Sequence, residues 1–533
     1  MEPLEPEFGV SGKDRGVESF KEARVGKPPC IAGIGIFTAD RPALLERALT
    51  SYVARTSANR RELEYVVFDD SKDDDGRRAS LEVARTIRER FDVYVRFSGV
   101  DERAAYVRRL CQCSGVSPEV LDYALLLSKG YTLGQNRNAF LLDTVGSLFF
   151  GADDDTLCAP ARPPLIREQR LRFCAGSDPS DFWCFRDFAE ARDWARFVDN
   201  DFLEDHERLL GWNTCDLDAL VPLAASNDGP PAMSLHQRIG RSGSTVRVTV
   251  NGLLGDCAWG SPFGLWHEPM GYLAFDGPSL ERLIHSEEFY RRAILSRQVL
   301  RVTNGPVVSD VSFSMLTFWG LDNRELLPPC LPSHRGQDLV FGQVLWKCFN
   351  QAVVGHVPLA LVHYPDPPRR FWPGEMSRSA TGVDLCRLVI EALKLCRLQG
   401  PAATPALRLK ALARHLAGLA ELSDRVLGEQ LRERLHESNR LFEGKLKERA
   451  QPTIRRRGFY ADDVARYFAK LKTAETREDY WIPLDMFSID GSGAEGRIRR
   501  ALRQFGELLD AWPSIVEAAK ALRRNGLRVS RPV

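Results

Sequence analysis

The sequence predicts an α/β protein, a mostly parallel sheet sandwiched by helices, with an α-helical C-terminal domain. Three observations carry that expectation. Apolar runs at residues 31–37 (IAGIGIF), 65–68 (YVVF) and 148–152 (LFFGA) lack strict alternation, as strands covered on both faces do. Helical patterns stand between them, at residues 42–54, 77–91 and 135–146, which makes βαβ units and parallel strands. From about residue 380 onward the chain reads as successive amphipathic helices.

Taken in order, residues 1–28 are polar with glycine and proline, and read as an N-terminal tail rather than a signal peptide. Residues 29–375 are expected to form the α/β domain, interrupted by an insertion at about 160–245. That insertion mixes a proline-rich link (159–165), an aromatic and acidic stretch (182–212) and a loop rich in turn formers (226–231). A strand pattern, VRVTV at 246–250, is followed by a loop at 255–264 and by apolar segments near 270–275 and 311–319. Residues 331–350 read as a loop entering a helix, and the prolines of ALVHYPDPPR (360–369) end the domain. Helical segments at 383–398, 405–449, 459–472, 494–511 and 513–525 then make 376–533 a helical domain.

Composition narrows the function classes. A length of 533 residues implies two to four structural units, and a formal net charge of +1 recommends no nucleic-acid partner. The 12 cysteines are scattered without a disulfide or zinc spacing, so the reducing cytoplasm is the expected compartment. No apolar run reaches the roughly 18 residues that a membrane span needs.

The most informative feature is Asp153-Asp154-Asp155, which directly follows the apolar run 145–152. Three carboxylates where a buried strand surfaces repel one another unless a positive charge joins them. A divalent cation carrying a phosphorylated ligand is the natural candidate. The other two strand runs also end in polar clusters, at 38–42 and 69–71. In open α/β sheets ligands bind beyond the carboxyl ends of strands, so the three clusters should meet at one edge.

FTADRPALLERALTSY (37–52), FDDS (68–71), GQNRNAFL (134–141) and GADDDT (151–156) together resemble the successive motifs of family-2-type glycosyltransferases with a GT-A fold. The resemblance covers about residues 30–157, with a weaker echo at 331–365. It implies a GT-A-like fold and transfer from a nucleoside-diphosphate sugar, UDP-linked by preference, to an acceptor peptide, glycan or small molecule. By that resemblance Asp153, Asp154 and Asp155 would hold Mn²⁺ or Mg²⁺ against the diphosphate; Asp153 and Asp155 match the D-x-D spacing, though three adjacent acids leave the register open, and Arg137 would face the phosphates. Asp69 and Asp70 would contact base and ribose, and Thr38 and Arg41 would line the same nucleotide pocket. Asp338, in RGQDLVFG (335–342), would be the general base, which implies inversion; Gln337 stands where the family more often has Glu. His363 would complete the metal shell, and Trp259, with Phe263, would wall the site from the loop 255–264, where Asp256 is a secondary candidate.

Each residue also has a plainer role. Arg41 and Thr38 precede a helix that begins at Pro42, Asp338 suits a helix dipole, and His363 and Trp259 suit a core. Ser71-x-Asp73-x-Asp75-Gly76 with Glu82 imitates a calcium loop, but serine replaces the first Asp, so an acidic turn is expected. Gly33-x-Gly35 lacks the third glycine of a dinucleotide fingerprint. Two rival classes remain: a sugar-1-phosphate nucleotidyltransferase, and a non-catalytic nucleotide-binding scaffold on a decayed transferase fold. The C-terminal helices are expected to bind an acceptor peptide, form a homo-oligomer, or simply cover the core.

Overall fold

The computed structural model describes residues 30–126, 132–164, 171–175, 178–218, 238, 243–258, 263–265, 269–271, 275, 277–312, 316–372, 375, 378–398, 403–454, 458–486 and 493–533. The three apolar runs are strands: β1 (Ile31–Thr38), β2 (Glu64–Asp69) and, after β3 (Tyr94–Ser98), β4 (Leu148–Asp153). They continue into β5 (Thr156–Arg162), β6 (Thr245–Asp256), β7 (Gln298–Val302), β8 (Phe318–Asp322), β9 (Ala352–His363) and β10 (Arg531–Pro532). All ten belong to one mixed sheet of 14 strands, ordered β10-β3-β2-β1-β4-β8-β6-β9 along its spine. The N-terminal part, β3-β2-β1-β4, is parallel throughout; β8 then runs antiparallel to both β4 and β6.

Register decides where the site lies. Thr38 pairs with Asp69 across β1 and β2, and Phe37 pairs with Asp153 across β1 and β4. The polar ends of three parallel strands therefore stand level, as the sequence predicts. Helices α1 (Pro42–Ala58), α2 (Asp74–Phe91), α3 (Val100–Ser114), α4 (Pro118–Leu125) and α5 (Leu133–Asp143) pack around them.

Several expectations change. β3, α3 and α4 were not anticipated, because Arg96 breaks the apolar signal of YVRFS; the structure buries it by pairing it with Ser530. β6 runs on to Asp256, beyond the expected five residues, and the predicted loop starts later. Gly252 permits this, since a side chain there would meet the Arg301 carbonyl of neighbouring β7 at 2.4 Å. After α6 (Gln337–Cys348) and α7 (Leu385–Leu395), the segment expected as one helix divides into α8 (Pro405–Ala420) and α9 (Asp424–Ile454). Ser423 caps the second helix through the Val426 N–H. α10 (Gly458–Glu475) follows. The last two predicted helices are one, α11 (Ala494–Arg524), which passes through Pro513. Proline removes a helical hydrogen bond, but Trp512 and Ile515 beside it are fully buried and hold the helix in place.

One apolar core runs through the sheet and the C-terminal helices, from Ile31 to Val529, across the expected boundary at residues 375–376. α11 lies against α3, α4 and α5, and the chain then returns to the sheet, where β10 pairs with β3. Asp143, at the end of α5, fastens this return. Its carboxylate accepts from Ser530 N and Oγ, both at 2.8 Å, and from Arg528, while Arg523 donates to its carbonyl at 2.8 Å. Asp143 is fully buried. Asp143→Ala strips Ser530 of its acceptor while Arg528 keeps Glu64 at 2.7 Å, so urea unfolding should show a loss of about 1–3 kcal/mol.

Candidate active site

The site is built from backbone first. The Asp154 N–H donates to the Phe37 carbonyl at 3.0 Å, and the Asp70 N–H to the Thr38 carbonyl at 2.9 Å, locking the three strand ends together. From the far side, the Tyr364 N–H donates to the Asp155 carbonyl at 2.8 Å, so β9 delivers His363 to the same turn. After β1, Asp40 adopts the left-handed conformation (φ 56°), and the chain turns so that Arg41 meets the acidic tip.

The three acids have three different fates. Asp154 is fully buried: Thr38 Oγ1 donates to it at 2.7 Å and Arg41 Nη2 lies 2.5 Å from its other oxygen. Burial and the neighbouring Asp155 push its pKa up, against the pull of Arg41 and the Thr38 hydroxyl. Asp155 is shared between Arg41 Nη1 (3.2 Å) and His363 Nε2 (3.2 Å). Burial alone would raise its pKa, but His363, Arg41 and Arg369 outweigh burial and hold it well below the usual carboxylate range. Asp153, with its side chain 27% exposed, is paired with Arg137. Asp154 and Asp155 are both buried, and Asp153 is the most exposed of the three.

His363 is held from behind. Its Nδ1 lies 2.6 Å from the Asp256 carbonyl, which only accepts, so Nδ1 carries a proton and Nε2 faces Asp155. Burial lowers the pKa of this imidazole, but Asp155 outweighs burial and leaves it raised. The Asp256 carboxylate is in turn gripped by Arg297 (2.9 and 3.1 Å) and Arg369 (3.1 and 3.0 Å).

α5 supplies the inner wall. Residues 134–143 are all buried, and a run of four polar residues in such a helix needs partners. Asn136 donates to the Phe68 carbonyl at 3.2 Å and accepts from Arg103; Asn138 clasps Cys330 through both its amide groups. Gly134 lets the helix start approach the loop before α6, since a side chain there would strike the Leu331 carbonyl at 1.8 Å. Arg137 lies in the second turn, 2% exposed, with its guanidinium carbon 3.6 Å from the centre of the Phe37 ring. Its Nε and Nη1 are buried without a hydrogen-bond partner. Asp338, in the first turn of α6, is half-buried; burial pushes its pKa up to about 6, against its neighbour Leu339 N–H and Arg137.

Asp69 and Asp70 face protein rather than solvent. Asp70 is held by Arg103 (2.9 Å), Gln135 (2.8 Å) and Thr132, and Asp69 accepts from Ser71 Oγ at 2.7 Å. The acidic run that follows is a turn, as expected: Asp73 caps α2 by accepting from the Gly76 N–H at 2.7 Å. Trp259 lies outside the described residues. Sequence reasoning missed Arg103, Arg297 and Arg369, which lie far along the chain from the carboxylates they hold.

Asp69 offers a pH test. Burial pushes its carboxyl up to about 6, so the stability of the protonated form is intact below about pH 4 and is lost as pH rises through 6. Asp69→Asn removes the titration. It should match the native protein near pH 4 and exceed it at pH 8, by up to about 3 kcal/mol in denaturant melts.

Among the described residues, no three His, Cys, Asp or Glu side chains are grouped closely enough to hold a metal ion as they stand. The donor chemistry of Asp153, Asp155 and His363 nevertheless suits a divalent cation, with Asp155 and His363 already adjacent. Fold and site together define an α/β protein with an acidic, arginine-ringed cluster at its strand ends. No family model matches the chain, and no curated protein matches it. No helix among the described residues is long and apolar enough to cross a membrane.

Proposed function

We propose that the chain is a metal-dependent glycosyltransferase of GT-A-like build, using a nucleoside-diphosphate sugar, UDP-linked by preference. The supporting observation is the meeting of three elements at one tip. β1 brings Arg41, β4 leads into Asp153-Asp154-Asp155, and β9 brings His363 within 3.2 Å of Asp155. Asp153, Asp155 and His363 would hold Mn²⁺ or Mg²⁺, which supplies Lewis-acid stabilisation of the leaving diphosphate.

The protein's own groups do the rest. Arg137 and Arg41 bind phosphate oxygens, a role that a planar guanidinium suits. Asp338, with a pKa near 6, is ionised at neutral pH and takes the proton of the acceptor hydroxyl. The acceptor oxygen bonds to the anomeric carbon as the bond to the diphosphate breaks, and the diphosphate leaves with the electron pair. Attack from the face opposite the leaving group inverts the anomeric centre.

A second reading is a nucleotide-binding scaffold without transfer. It is favoured by the fact that each acid of the tip already has a cation: Arg137 on Asp153, Arg41 on Asp154, and both Arg41 and His363 on Asp155. Titration of Mn²⁺ with UDP and GDP, followed by a screen of nucleotide sugars for metal-dependent hydrolysis, tests both. Metal-dependent binding with hydrolysis supports the transferase, nucleotide binding that needs no metal and leads to no hydrolysis supports the scaffold, and no nucleotide binding at all removes both.

A further inference from the structure

Arg41 stands over the carboxylates of Asp154 and Asp155. Its Nη1 covers Asp155 Oδ2 at 3.2 Å, and the other oxygen of Asp155 faces His363 at 3.2 Å, so neither oxygen is open. Two arginines hold the tip, and burial separates their behaviour. Arg137 is 2% exposed and packed face-on against Phe37, so it has no room to swing away from Asp153. The Arg41 side chain is 41% exposed and has solvent to move into. Asp154, its second partner, keeps the Thr38 hydroxyl at 2.7 Å when Arg41 leaves.

We infer that Arg41 is an exchangeable counter-ion: it covers Asp155 in the free protein and crosses to the ligand's phosphate oxygens when a divalent cation takes its place. This rests on the metal and nucleotide reading above and deepens it. A cation alone must displace a guanidinium that gains no new partner. A nucleotide alone meets an acidic tip whose arginine is already engaged. Together the two ligands complete the exchange, so each should strengthen the other's binding by the same factor. Arginine suits the role, since its planar fork matches two carboxylates in one state and a phosphate in the other.

The test measures Mn²⁺ affinity by calorimetry, with and without saturating UDP, on the native protein and on Arg41→Gln. Arg41→Gln should bind Mn²⁺ alone about 5–10-fold more tightly, while the strengthening by UDP shrinks by a similar factor. Arg41→Lys keeps the charge but cannot span two carboxylates. It should fall between the two, and it carries the test if circular dichroism shows Arg41→Gln to be unfolded. Native binding of Mn²⁺ with equal or weaker binding in the variants overturns the exchange while leaving the metal reading intact. Failure of every form to bind Mn²⁺, with or without UDP, overturns both.

Discussion

Asp155→Ala is expected to abolish metal-dependent nucleotide binding, and with it all transfer. Asp155 is the only acid of the tip that touches both Arg41 and His363. Removing an outer partner of a metal ligand typically costs about 10–100-fold in affinity, and removing a ligand should cost more. The fold should survive, because Arg41 retains Asp154 and His363 retains the Asp256 carbonyl. Calorimetry with Mn²⁺ and UDP gives the readout, and circular dichroism confirms the folded state. Native-like nucleotide affinity in Asp155→Ala, with metal present, would remove the tip from the site.

Asp338→Asn should behave in the opposite way, leaving nucleotide binding near native while transfer falls by about 10²–10⁴-fold. Its side chain is nearly isosteric, so the first turn of α6 should keep its geometry, while the amide oxygen cannot take a proton from an acceptor. The native rate should rise with pH through about 6, as Asp338 ionises, and the residual rate of the variant should lose that limb. Transfer at the native rate by Asp338→Asn would show that the base lies elsewhere. The contrast between the two variants matters more than either loss, since a general structural lesion would not separate binding from transfer.

Much of the parallel sheet was legible because its signals are local. An uninterrupted apolar run and the polar residues that end it are neighbours in the chain, so the runs 31–37, 65–68 and 148–152 could be read directly, each within a residue of the strand ends. β3 was hidden by Arg96, whose partner Ser530 lies 434 residues away. The long α11 was hidden by Pro513, because a proline signals a break locally while burial of Trp512 and Ile515 acts through the fold. The same division runs through the site. Asp153, Asp154 and Asp155 were visible as an acidic tip, but their different burial was not.

Chain order by itself determined that polar or acidic residues follow three strands and that a helix with Gly134 and Arg137 precedes the third. Those are statements about neighbouring residues, where backbone propensity and hydrophobic pattern act. Tertiary structure alone decided which acid turns inward to Thr38, which one meets His363 from β9, and which arginines neutralise them. Charge interactions depend on distance and burial, and the partners brought together here lie from 16 to more than 200 residues apart along the chain.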